Sequence, residues 1–251
     1  MMERSTLTKV PQVTLAFWII KILSTTLGET AGDAVTMTLG LGYLVGTVMF
    51  GLALIALVAM QIRARAFHPF LYWATIIAST TAGTTLADLA TRSVGIGYTG
   101  GSALLLAFVI LSLAAWKATL GTVSVDSVHE PRAELFYWVT ITFSQTLGTA
   151  ISDWLADTGG LGYLGSAAVF GAALVLIGIL YATTNTSRVV LFWSAFILTR
   201  PLGATVGDFL DKPIDHGGLA FSRPLASLLL GLAIVALIVL LPQRAGRSDI
   251  R

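Results

Sequence analysis

FWIIKILSTTLGETAGD (17–33) recurs without a gap as YWATIIASTTAGTTLAD (72–88), YWVTITFSQTLGTAISD (137–153) and FWSAFILTRPLGATVGD (192–208). Each copy begins with an aromatic residue and Trp, carries Ser or Thr six residues after the Trp, Gly ten after it and Asp fifteen after it. Self-similarity of this kind marks a repeat architecture, so the unit has to be read before the whole. Gly40-Leu41-Gly42-Tyr43, Gly95-Ile96-Gly97-Tyr98 and Gly160-Leu161-Gly162-Tyr163 follow the first three Asp residues by seven positions. In the fourth copy Gly218-Leu219-Ala220-Phe221 follows Asp208 by ten, an insertion of three. Each unit thus reads as a motif helix, a Gly-rich turn and a plain apolar helix.

The chain of 251 residues is 55% hydrophobic and only 11% charged, with a mean hydropathy of +0.84. A soluble domain carries about a quarter charged residues to solvate its surface, so lipid is expected to cover most of this one. Runs of roughly 20 apolar residues span the hydrocarbon layer. Eight occur, near 13–34, 43–61, 70–90, 98–116, 135–155, 161–181, 190–209 and 223–241. The expected fold is an all-α membrane protein, one transmembrane domain over 1–251, with repeats near 13–66, 67–131, 132–187 and 188–244. Two crossings per unit make the four motif helices parallel, so the eight transmembrane helices are expected around a pseudo-fourfold axis along the membrane normal. The plain helices would face lipid, and the small residues of the motif would let its helices approach closely.

The Trp-through-Asp motif and its fourfold recurrence resemble a family of uncharacterised bacterial multi-pass membrane proteins described only as membrane-anchored. The resemblance spans nearly the whole chain and implies residence in the bacterial inner membrane. It implies no activity, so function has to come from the residues.

The pI near 9.0 does not point to nucleic acid, because the basic residues lie singly in short loops. Arg4, Lys9, Arg63, Arg65, Lys117, Arg132, Arg188, Arg244, Arg247 and Arg251 fall at the termini and in the even-numbered loops, against Arg92, Lys212 and Arg223 in the odd-numbered ones. That bias places both termini in the cytoplasm. The first apolar run lacks a cleavage site and reads as a retained helix. The chain has no Cys, which excludes thiolate ligation of soft metals.

Five acids (Glu29, Asp33, Asp88, Asp153, Asp208) and two bases (Lys21, Arg200) fall inside the apolar runs, a formal sum of −3. Ionisable groups at membrane depth are costly and mark ion pathways. On a helix, the positions four, seven and eight before each Asp lie on its side, which gives a polar stripe that includes Thr26, Thr81, Thr146, Gln145 and Arg200. Four stripes would line a tunnel with a ring of carboxylates. Oxygen ligands suit Mg²⁺, Ca²⁺ or Mn²⁺, and His68, His129 and His216 lie in loops. The expected function is therefore transport or export of a hard divalent cation, with Asp33, Asp88, Asp153, Asp208 and Glu29 as metal ligands. Thr26, Thr81, Thr146, Gln145, Arg200 and Lys21 would support the site, the cation or a proton being substrate and no cofactor being required. The other reading is a non-transporting scaffold or sensor in which the acids only specify packing. A catalytic role is not expected, since no nucleophile–base motif occurs. A lone protomer enclosing the pathway and a homo-oligomer sharing it both fit the sequence. Arg200 is expected to pair with an acid, Pro201 to kink its helix, the Lys21 stem to snorkel to head groups, and Trp18, Trp73, Trp138 and Trp193 to anchor at the interface.

Overall fold

The computed structural model describes residues 7–247; Arg4 and Arg251, counted above as topology signals, lie outside the described residues. Among these, eight long helices follow one another: α1 (Leu15–Asp33), α2 (Gly42–Arg63), α3 (Pro69–Asp88), α4 (Tyr98–Leu120), α5 (Pro131–Asp153), α6 (Gly162–Thr183), α7 (Arg188–Asp211) and α8 (Arg223–Leu240). Thr14 caps α1 by accepting from the Phe17 amide, and Pro69 and Pro131 occupy the first positions of α3 and α5, where no partner for their missing N–H is needed. Five helices, α2, α4, α6, α7 and α8, are long and apolar enough to cross a membrane. Burial explains why α1, α3 and α5 fall short of that composition. The helix α3 buries 14 of its 20 residues, whereas α2 buries three of 22, and a helix enclosed by others need not be apolar all round.

In the first three copies the chain leaves the motif helix through a π-helical turn, Ala34–Thr38, Leu89–Ser93 and Trp154–Thr158. It then reverses at Gly-x-Gly, where both glycines of each pair have positive φ, a conformation open to glycine at little cost. The fourth copy spends its insertion on extending α7 to Asp211 and on a short 3₁₀ turn, Ile214–His216. Ala220, at φ +51°, then takes the place of the second glycine.

The helix α1 packs against α3 and α7, α3 against α5, and α5 against α7, which closes a ring of four motif helices. The plain helices lie outside, but each mainly covers the motif helix of the following copy: α2 lies on α3, α4 on α5, α6 on α7, and α8 returns to α1. Two contacts repeat round this ring. The leading aromatic of each copy meets the Trp of the next, as Phe17 with Trp73 (5.5 Å between ring centres), Tyr72 with Trp138 (5.8 Å), Tyr137 with Trp193 (6.2 Å) and Phe192 with Trp18 (5.8 Å). The motif glycine of each copy receives a side chain from the next: Gly28 faces Thr80, Gly83 faces Gln145, Gly148 faces Arg200 and Gly203 faces Thr25. A Cβ on Gly83 would stand 2.9 Å from the Gln145 backbone carbon, so small size is what sets the close helix approach.

These contacts correct the belt reading of the Trp residues. Trp73, Trp138 and Trp193 are buried and Trp18 is partly so, because indoles with a neighbouring aromatic to pack on gain more from the ring than from the interface. The all-α expectation also missed a small sheet. Strand β1 (Leu7–Pro11) pairs antiparallel with β2 (Ala245–Arg247), bringing the two ends of the described chain together. Lys9, read as a topology charge, is buried. Its Nζ lies 2.5 Å from Glu134 Oε1 and donates to the Ile62 carbonyl at 3.0 Å, at the C-terminal end of α2 where a cation is favoured.

Candidate functional site

The four motif Asp residues stand at the end of the ring opposite the strands, and all are buried. They form two unequal groups instead of one even ring. Arg92 bridges the second and third copies, with Nε 2.8 Å from Asp88 Oδ1 and Nη2 3.0 Å from Asp153 Oδ2. Lys212 bridges the fourth and first, with Nζ 3.1 Å from Asp208 Oδ1 and a short bond to Asp33 Oδ2. Arg223 adds contacts to Asp33 (3.8 Å) and Asp211 (3.4 Å). Burial opposes the Lys212 charge, but Asp208, Asp33 and Asp211 outweigh it and hold its pKa above the ordinary lysine range.

Glu29 joins the second group. Oxygens of Glu29, Asp33 and Asp208 all lie within 4.8 Å of one another, and all three side chains are buried. The opposite face of Glu29 is taken by Arg200. Its Nη2 donates to Glu29 Oε2 at 2.8 Å, to Thr84 Oγ1 at 2.6 Å and, through a short bond, to Thr149 Oγ1. A guanidinium carried by α7 thus touches α1, α3 and α5 at once, and is itself fully buried. The expected pairing of Arg200 with an acid is met by Glu29.

The three odd-loop cations change the charge balance. Adding Asp211, Arg92, Lys212 and Arg223 to the five acids and two bases counted in the sequence gives six carboxylates against five bases, −1 in place of −3. The surplus that made the sequence favour an added cation is largely met by the chain's own side chains.

Four segments, 16–67, 71–122, 136–187 and 191–244, match the model of a repeat of unknown function, DUF347. The chain belongs to this repeat family. No curated protein and no solved structure matches it. Compared position by position, the DUF347 repeats show how one scaffold carries different chemistry. Four residues before the Asp stand Glu29, Thr84, Thr149 and Ala204, the layer that meets Arg200. Seven before it, Thr26, Thr81 and Thr146 donate to the carbonyls of Ile22, Ile77 and Thr142 on their own helices, so these predicted supporting hydroxyls contribute only lone pairs to any ligand. Eight before it, Gln145 packs on Gly83, and neither of its amide atoms has a hydrogen-bond partner. Nine before it, Ser24, Ser79, Ser144 and Thr199 form a fully hydroxylated set, all buried.

Lys21 corrects the snorkelling expectation. It is fully buried, its Nζ 3.4 Å from Thr199 Oγ1 and 4.2 Å from the centre of the Phe196 ring. A hydroxyl and an aromatic face on α7 hold the amine inside the ring instead of releasing it along lipid. The helix α7 runs unbroken from Arg188 to Asp211 with Pro201 inside it, the Pro201 ring seated against Gly148.

Sequence reading missed Arg92, Lys212, Arg223 and Asp211 as members of the site. For Arg92 and Lys212 the signal was present, since each stands four residues, one helical turn, after its Asp. Arg223 opens α8 and reaches α1 only because that helix crosses back to the first copy, which no local spacing reports.

Proposed function

We propose that all eight helices cross the cytoplasmic membrane of a bacterium about a pseudo-fourfold axis, with both termini cytoplasmic, and that the protein transports a hard divalent cation of the Mn²⁺, Mg²⁺ or Ca²⁺ class. The observation that carries this reading is the convergence of Glu29, Asp33 and Asp208 within 4.8 Å. Three buried carboxylates at that separation repel one another unless a cation stands among them, and oxygen-only donors favour hard ions. Lys212 is such a cation on a tether. Its ammonium bonds Asp33 and Asp208, and it sits on a stem long enough to withdraw. An incoming ion would take its place, while Arg200 keeps Glu29 oriented through Thr84 and Thr149. Asp88 and Asp153, bridged by Arg92, then act as a second, more firmly closed pair instead of equal ligands. The odd-numbered turns would face the periplasm, and all three of their basic residues are engaged by carboxylates.

A second reading, a non-transporting scaffold or sensor, rests on the same ion pairs: every motif Asp already has a cationic partner within 4 Å. Flux of Mn²⁺, Mg²⁺ and Ca²⁺ into proteoliposomes separates the two. Transport through the three-carboxylate cluster predicts that Asp33→Asn and Asp208→Asn abolish flux, while Asp153→Asn reduces it less. Wild-type protein that moves none of the three ions, with the Asn variants losing only folding yield, would leave the scaffold.

A further inference from the structure

Lys21 is a buried charged side chain that the proposed site does not use. Its counterparts in the other copies are Ile76, Ile141 and Phe196, all fully buried. A layer that is apolar three times carries an amine once. If packing alone were required, another isoleucine would serve. If a fixed charge were required, it would be paired, as Arg200 is with Glu29. Among the described residues Lys21 has no carboxylate partner within 4 Å. Glu29, the next acid along α1, stands eight residues or about 12 Å away and is already held by Arg200. From the other helices, the titratable groups facing this level are Arg200 on α7 and, one turn nearer the strands, Tyr72 on α3 and Tyr137 on α5, whose hydroxyls bond each other at 2.6 Å. The helix α8, which covers α1, carries only Arg223 at its far end.

The surroundings of Lys21 differ on its two sides. Towards the Asp end come the hydroxyls of Ser24, Ser79, Ser144 and Thr199. Those of Ser24 and Ser144, together with Thr80 Oγ1 and both amide atoms of Gln145, are buried and make no hydrogen bond to other protein groups. Buried polar atoms of that kind are the partners that internal water takes. One turn further stand Thr84 and Thr149 around Arg200, and then Glu29 and Asp33. Level with Lys21 stand Ile76 and Ile141, and towards the strands come the paired Tyr72 and Tyr137 hydroxyls and the interlocked aromatic set of Phe17, Trp73, Trp138 and Phe192.

Resting on the cation-transport reading above, we propose that Lys21 is a proton-binding site coupled to that transport, exchanging its proton with the Asp end through the hydroxyl and water column. When a cation enters among Glu29, Asp33 and Asp208, one Nζ–H bond of the Lys21 ammonium breaks and its electron pair stays on nitrogen. The proton passes by way of the Thr199 hydroxyl level and internal water to the aqueous phase at the Asp end. When the cation is released on the opposite side of the membrane, the Nζ–H bond re-forms with a proton taken up from that side, so one proton is exchanged for each ion. Arg200 links the two events, because a cation that binds Glu29 competes with the guanidinium lying between that acid and Lys21.

The test uses full-length protein in liposomes containing a trapped pH indicator, with an imposed Mn²⁺ gradient. Wild-type protein is expected to move protons against Mn²⁺. Lys21→Met cannot take up a proton and Lys21→Arg cannot give one up, so both should lose the proton signal, whereas a structural role would be met by the shape of one or the charge of the other. Mn²⁺ flux without any proton movement in the wild type, or an unchanged proton-to-Mn²⁺ ratio in Lys21→Met, overturns the proposal and leaves the transport reading standing. If the wild type moves no ion, the transport reading fails, and ¹⁵N NMR of the four lysine side chains in liposomes still judges the site. The Lys21 signal, identified by its loss in Lys21→Arg, should convert between amine and ammonium as the pH of the medium is varied. A single form throughout overturns the proton site.

Discussion

Arg200→Gln removes a side chain that touches the three other motif helices. The structure sets the size of the effect. At 2.8 Å from Glu29 and an effective dielectric of about 20, the pair attracts by about 6 kcal/mol, and removing one partner of a buried pair leaves the other charge uncompensated at a cost of about 3–5 kcal/mol. Thr84 and Thr149 lose a charged donor as well. Glu29→Gln should cost a similar amount, since it strands the guanidinium instead. The double variant keeps two neutral amides in place of two charges, so its cost should fall short of the sum by about 2 kcal/mol or more. Unfolding titrations in mixed detergent micelles of the four proteins close this cycle. Additive losses, with a coupling below about 0.5 kcal/mol, would refute the pairing and with it the assignment of Arg200 as the hub of the ring.

Gly83→Ala, which places a Cβ 2.9 Å from the α5 backbone, should cost about 1–3 kcal/mol by overpacking, whereas Gly51→Ala and Gly171→Ala, with nothing within 4 Å, should be neutral or slightly stabilising; equal losses in thermal stability would remove the close-approach role of the motif glycines. Lys212→Met frees Asp33 and Asp208 from their tethered ammonium, so Mn²⁺ should bind more tightly in equilibrium dialysis, and weaker binding would count against displacement of that side chain by the ion. Binding to wild type should also weaken as pH falls, because protons compete for the same carboxylates; an affinity that stays flat down through about pH 4 argues against carboxylate ligands. For orientation, cysteines placed at Ala64 and Ser187 should be shielded from an impermeant thiol reagent outside intact cells while one at Thr99 reacts, and the reverse pattern inverts the topology.

The repeat and its helices were legible because the Trp, Gly and Asp spacing is local and recurs in register. The ring was legible from parity, two helices per unit making the motif helices parallel. What stayed hidden depends on which copy touches which. Nothing in the periodicity of α2 says that it leans on α3, or that α8 returns to α1 and brings Arg223 to Asp33. Arg92 and Lys212 were visible at one-turn spacing, yet counting loop charges explained them too early as topology signals. Lys21 and the Trp residues were misjudged for a common reason. Each has an amphipathic side chain that suits a lipid interface, and only the tertiary partners, Phe196 and Thr199 for the lysine and the preceding copy's aromatic for each Trp, decide against it. The Leu7–Pro11 strand is short, contains proline and takes its partner from the far end of the chain, so no window of sequence could announce it.

The hand-over of each plain helix to the next copy bears on how the molecule is made. A hairpin of two helices leaving the ribosome cannot shelter its own polar face, because the cover for one motif helix is delivered by the copy before it. The helix α1, carrying Lys21, Glu29 and Asp33, has no predecessor. It must wait in the bilayer, or beside an insertion factor, until α7 and α8 arrive nearly the whole chain later. Biogenesis should therefore end in a single late closure, and chains halted after the sixth helix should be open to proteolysis at α1 even though three complete repeats have been synthesised.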